Sequence, residues 1–148
     1  MNAREETLRH IKKVNQYLIF AAKELLDRAT RHDDSKLLSP EVEVFDEFTE
    51  KLHGLSYGSP EYTATLEKIK PALEHHYAKN SHHSEHYPNG IDGMDLFDLT
   101  ELLFDWKAAT ERHDDGNLIK SLEINKKRYN ISDQLYSILR NTVDRHIR

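Results

Sequence analysis

From Ala3 to Thr30 the chain carries neither glycine nor proline, and Leu8, Ile11, Val14, Leu18, Ile19, Ala22, Leu25 and Leu26 recur every few positions. Glycine and proline are the residues that break helices, and this spacing lays the apolar side chains along one stripe. One helix over about residues 3–30 is predicted. Ser39-Pro40-Glu41 reads as the next start: serine as N-cap, proline at the first helical position, an acid facing the dipole. That helix carries Val42, Val44, Phe45 and Phe48 and stops before Gly54. Ser59-Pro60-Glu61 repeats the device, and the helix behind it carries Leu66, Ile69 and Leu73 towards His75 and His76, with a kink or restart expected at Pro71.

Residues 80–93 read as a histidine-rich loop, with turn signals at Pro88-Asn89-Gly90 and Asp92-Gly93. A helix over about 95–112 follows, with Leu96, Phe97, Leu99, Leu102, Leu103 and Trp106 on its apolar side. Two shorter helices, about 118–128 and 132–146, finish the chain, the second capped by Ser132. Strand-like alternation is missing throughout. The predicted fold is all-α, five to seven helices in one domain over residues 1–148.

Composition narrows the chemistry. There is no cysteine, so disulfides, thiolate metal sites and thiol catalysis are excluded. Any metal must be held by nitrogen and oxygen. A formal charge of −5 argues against a broad nucleic-acid surface, though a local basic patch remains compatible with a phosphate. No apolar run approaches the roughly 20 residues that span a bilayer, and Met1-Asn2-Ala3-Arg4-Glu5-Glu6 is unlike a signal peptide. A cytoplasmic address is the resulting expectation.

Arg31-His32-Asp33-Asp34-Ser35-Lys36 places an imidazole and a carboxylate side by side where the first helix ends. Neutral imidazole nitrogens and carboxylate oxygens suit divalent ions. His75, His76, His82, His83 and His86 add five imidazoles within twelve residues, more than a solvated loop needs. His76 ranks above His75 because the helix should still hold its shape there. His82 and His86, four apart, share a face if the loop is locally helical. Asp98, Glu101 and Asp105 form an acidic stripe, ordinarily a solvated face. This one borders Leu102 and Trp106, so Asp105 is a candidate ligand at the core edge. Lys36 is a candidate phosphate contact. The second Arg-His-Asp-Asp, at 112–115, precedes a glycine and reads as a helix stop with an Asx turn.

With these residues in hand, the pattern resembles the HD-domain superfamily of metal-dependent phosphohydrolases, which are all-helical. The superfamily order would fall on His10, His32-Asp33, His76 with His82 or His83, and Asp105. More narrowly, the chain is similar to a family of small uncharacterised phage and bacterial proteins. That likeness rests on His10-Ile11-x-x-Val14, His32-Asp33-x-Ser35-Lys36, Pro40-Glu41, Tyr57-Gly58, His75-His76-Tyr77, Asn80-x-His82-His83-x-Glu85-His86-Tyr87, Asn89-Gly90-Ile91, Asp105-Trp106-Lys107-Ala108-Ala109 and Asn141-Thr142.

The resemblance implies an HD-like helical domain that hydrolyses a small phosphate ester. A nucleotide is the expected substrate, either a deoxynucleoside monophosphate or a cyclic nucleotide. One or two divalent ions (Mn, Fe, Zn, Co, Ni or Mg) would be held by His32, Asp33, Asp105 and members of His10, His76, His82 and His83. Asp33 would bridge two ions, and Lys36 or a spare histidine, His82 or His83, would face the phosphate. Two other readings stand beside it: a diiron oxygenase of HD type, and a non-enzymatic helical binding protein with a structural metal. His10 poses a geometric question. It precedes His32 by 22 residues, about 33 Å along a straight helix at 1.5 Å per residue. Either the first helix breaks near Asn15-Gln16, or a second chain of a homodimer supplies His10, or it is not a ligand there.

Overall fold

The computed structural model describes residues 2–55, 59–112 and 116–147. Among these, six α-helices and three short 3₁₀ turns account for the regular structure, with no strand. None of these helices is long and apolar enough to cross a membrane. The chain divides into two compact units, Met1–His32 and Asp33–Arg148.

The first unit is α1 (Ala3–Arg31), closed by His32. Asn2 and Glu5 form a reciprocal capping box, with Asn2 Oδ1 accepting from the Glu5 amide at 3.0 Å and Glu5 Oε2 from the Asn2 amide at 3.1 Å. Acids in the first turn and arginines in the last complement the dipole. The helix is continuous through Asn15-Gln16. His10 and His32 therefore stand about 33 Å apart, and the break that would bring them together is ruled out.

The second unit opens with a 3₁₀ turn, Asp34–Leu37. α2 (Glu41–His53) and α3 (Pro60–Lys79) pack on each other. α2 begins one residue later than read from sequence: Pro40, after a cis peptide bond, is the N-cap rather than the first helical residue. At α3 the expected device is present, with Ser59 Oγ accepting from the Tyr62 amide at 3.0 Å. Pro71 lies inside an uninterrupted α3, against the expectation of a kink or restart. Its ring is on the exposed side, where water can satisfy the carbonyl it leaves without a donor.

α4 (Leu96–Thr110), α5 (Leu118–Arg128) and α6 (Asp133–His146) surround the main apolar core. Leu102, Leu103, Trp106, Leu118, Leu122, Ile131, Leu139 and Val143 fill it together with Ile91. Trp106 stacks on Tyr129 at 6.0 Å between ring centroids. Leu96, read as apolar-side, is instead 79% exposed at the helix start. The loop after α3 is shaped by 3₁₀ turns at Ser84–His86 and Gly90–Gly93. The second Arg-His-Asp-Asp copy falls largely outside the described residues, as His113, Asp114 and Asp115 do, and so do Tyr57 and Gly58.

Candidate metal centre

The site begins at the first residue of the second unit. Asp33 adopts a left-handed conformation, φ 58° and ψ 15°, which aspartate tolerates better than most side chains. The tight turn that follows, with the Lys36 amide donating to the Asp33 carbonyl at 2.9 Å, folds Lys36 back. Its Nζ reaches Asp33 Oδ2 at 2.6 Å. The other carboxylate oxygen, Oδ1, faces inward.

His76 meets that oxygen from the last turns of α3. It is 1% exposed and wedged edge-on against Phe45 of α2. Its Nε2 lies 3.2 Å from Asp33 Oδ1 and 3.0 Å from His83 Nε2. Beyond α3 the chain doubles back, so that His82 and His83 return over His76. The return is tied down by α4. Asp98, 1% exposed, accepts from Ser81 Oγ at 2.7 Å and Tyr87 OH at 2.6 Å. His82 is buried, with Nε2 3.4 Å from Asp33 Oδ1.

Four ligand atoms, one each from Asp33, His76, His82 and His83, thus lie within 4.8 Å of one another. Donors around a single divalent ion at about 2.0–2.2 Å stand about 3.0–3.5 Å apart, which is the separation seen between the neighbouring pairs here. The far side of each ring shows what these atoms carry. His76 Nδ1 sits 2.9 Å from Glu41 Oε2, and His82 Nδ1 sits 3.1 Å from Glu101 Oε1. An ionised carboxylate only accepts, so each Nδ1 donates. The Asn80 amide does not compete for His76, because its two hydrogens go to the His76 carbonyl and Ser35 Oγ, both at 2.8 Å. In the neutral rings both Nε2 atoms then hold lone pairs, aimed at a carboxylate oxygen that also holds lone pairs. Added protons or a shared cation would reconcile them. The donor set fits a cation of the borderline class.

The electrostatics agree. Burial pushes the Asp33 carboxyl up, but the polar groups around it, the His76 and His82 rings and the Lys36 ammonium, outweigh it and hold the group well below the usual carboxylate range. Burial, reinforced by the two neighbouring imidazoles, depresses His83 to about 3. His83 is therefore a neutral ring at physiological pH.

Of the residues singled out from sequence, Asp33, His76, His82 and His83 come together. Asp105 joins their edge, with a carboxylate oxygen within 4.8 Å of one from Asp33. Lys36 is at the site but engaged with Asp33. His86 is not in the cluster: the chain turns there, and His86 Nδ1 bonds the Tyr77 carbonyl at 2.8 Å. His75 points to Glu41 rather than to the cluster, 2.7 Å from its Oε1. His10 lies on α1, 22 residues before His32 in the sequence. His32 closes the first unit as the residue before Asp33.

Two residues that sequence reasoning passed over matter here. Glu41, in the sequence simply an acid at a helix start, is fully buried. Glu101 belongs to the stripe read as solvated, yet its side chain is 14% exposed. The signal available was the stripe's border with Leu102 and Trp106, which raised Asp105 and applied equally to Asp98 and Glu101.

No curated protein and no solved structure matches the chain. A family model described as a family of unknown function (DUF5662) matches residues 1–145, and the chain belongs to that family.

Proposed function

We propose that this protein is a metal-dependent hydrolase of phosphate esters. The observation that carries the reading is the convergence of one carboxylate oxygen and three imidazole nitrogens within 4.8 Å. Asp33, His76, His82 and His83 would hold the ion, and the imidazole-rich set favours zinc, iron, manganese, cobalt or nickel over magnesium. His32 is carried forward as a candidate ligand on its place in the sequence beside Asp33. When bound, such an ion supplies Lewis acidity for a phosphoryl group and makes water a stronger acid near neutral pH.

The chain's own residues supply the rest. Asp33 brings the negative charge that retains a dication. The Lys36 side chain is 38% exposed, so its ammonium can turn from Asp33 towards an incoming phosphate. Asp105, partly buried near Asp33, would serve as a proton acceptor or a further ligand. The resemblance to HD-type phosphohydrolases suggests a deoxynucleoside monophosphate or a cyclic nucleotide as substrate, an argument by analogy. The nearness of Asp33 and Asp105 also suits a second ion, which keeps a diiron oxygenase as the second reading.

The test is a panel of phosphomonoesters, cyclic nucleotides and deoxynucleoside monophosphates, assayed with metal-loaded protein and with Asp33→Asn. Turnover by the wild type and its loss in the variant would support the hydrolase. Full metal occupancy without turnover on any member would overturn it in favour of a structural metal. Stoichiometric iron with a charge-transfer absorption would favour the oxygenase.

A further inference from the structure

Two of the three rings that form the centre, His76 and His82, are each backed by a carboxylate outside the four-residue cluster. Glu41 is 0% exposed and takes three partners: His75 Nδ1 at 2.7 Å, His76 Nδ1 at 2.9 Å and Ser35 Oγ at 3.0 Å. A buried carboxylate costs several kcal/mol unless it is paired, so a residue in this position is retained for what it holds. It is also the first residue of α2, where the helix dipole favours negative charge. Glu101 approaches from α4 and lies behind His82, 3.1 Å from its Nδ1. Two different helices thus deliver the same device to two different rings. A carboxylate behind Nδ1 fixes the tautomer, locks the ring plane and raises the basicity of Nε2.

We propose that Glu41 and Glu101 are the positioning carboxylates of the centre, each accepting the Nδ1 proton of one ligand histidine so that its Nε2 lone pair faces the ion. This rests on the metal reading above and extends it to two carboxylates outside the four-residue cluster. The two carboxylates are not equivalent. A glutamine at 41 can turn its oxygen to His76 and its amide to His75, whose ring is 34% exposed and free to change tautomer. A glutamine at 101 still accepts from His82 but without the charge that raises the ring's basicity. Glu101→Gln is therefore the more informative variant, and Glu101→Ala removes the acceptor outright.

Zinc is the probe, titrated into tag-free protein against a chromogenic chelator. Long-range proton–nitrogen spectra of the zinc form supply the second readout. The zinc dissociation constant is expected to rise about 10- to 100-fold in Glu101→Gln and further in Glu101→Ala, with helix content kept in both and the metal-free melting temperature of Glu101→Gln near that of the wild type. In the wild type, His76 and His82 should both show a protonated Nδ1 and a metal-shifted Nε2. In Glu101→Ala the His82 Nδ1 proton should lose its downfield position while His76 keeps its own. Zinc binding by the wild type with variant affinities within about threefold of it, or a protonated Nε2 on either ring, would overturn the positioning role alone. No zinc binding by the wild type would overturn the metal reading along with it.

Discussion

Asp33→Asn removes one charge and almost nothing else. Asparagine occupies the left-handed region as readily as aspartate, so the φ of 58° at this position is preserved, which alanine would not ensure. The Lys36 contact is lost, but that pair is 38% and 19% exposed, and partly solvated pairs contribute about 1 kcal/mol or less. The metal-free fold should lose somewhat more than this, because the contacts that hold the Asp33 carboxyl below its usual range stabilise the fold through its charge. Metal affinity should change greatly. Asp33 is the only anionic member of the four-residue cluster, and removing one charge from a buried ionic arrangement costs about 3–5 kcal/mol. At 1.4 kcal/mol per tenfold, that is a loss of roughly two to three and a half orders of magnitude. Competition titration with zinc or manganese, beside thermal melts with and without metal, measures both quantities. A variant that binds metal within about threefold of the wild type would refute the assignment of Asp33 as a ligand.

Gly93→Ala should destabilise the loop that presents His82 and His83, because a Cβ there would collide with Asn89 Oδ1 and meet Tyr87 Cβ at 2.6 Å. Overpacking of this kind costs about 1–3 kcal/mol, read in a urea melt, and an unchanged midpoint would show that Tyr87 moves aside freely. Burial, together with the hydrogen bond to Asp98, raises Tyr87 to about 12, and burial beside Glu85 raises Tyr129 to about 12. A folded-state value above the unfolded value near 10 gives stability that is complete below about pH 10 and is lost as pH rises towards 12. Burial beside Glu85 raises Tyr77 as well, so absorbance titration should show three of the seven tyrosines ionising late, together with alkaline loss of stability, and all seven ionising near pH 10 would contradict it.

Much of this architecture was legible because it is local. Helix starts at Ser59 and Ser132 follow from residues within one turn of the boundary, and His76 ranks above His75 on the expectation that the helix still holds its shape there. The failures share a different cause. Pro71 was expected to break α3, but a proline on an exposed face leaves its orphan carbonyl to water, and exposure is a tertiary property. His82 and His83 point inward while His86 does not because Asp98 anchors Ser81 and Tyr87 from another helix, a contact 11–17 residues away in sequence. Glu41 serves locally as an acid at a helix start, and that sufficient local role hid its contacts with rings 34 and 35 residues onward. His10 followed from a resemblance, and α1 runs too straight to bring it to His32 within one chain.

The central claim is that Asp33, His76, His82 and His83 hold a metal ion. Elemental mass spectrometry of tag-free protein, with Asp33→Asn and His82→Ala purified in parallel, tests it most directly. At least one equivalent of a transition metal in the wild type, lost from both variants while their helical circular dichroism is kept, is the expected result. A wild type without stoichiometric metal after supplementation and removal of excess would contradict the claim, and the converging imidazoles would then be held by protons alone.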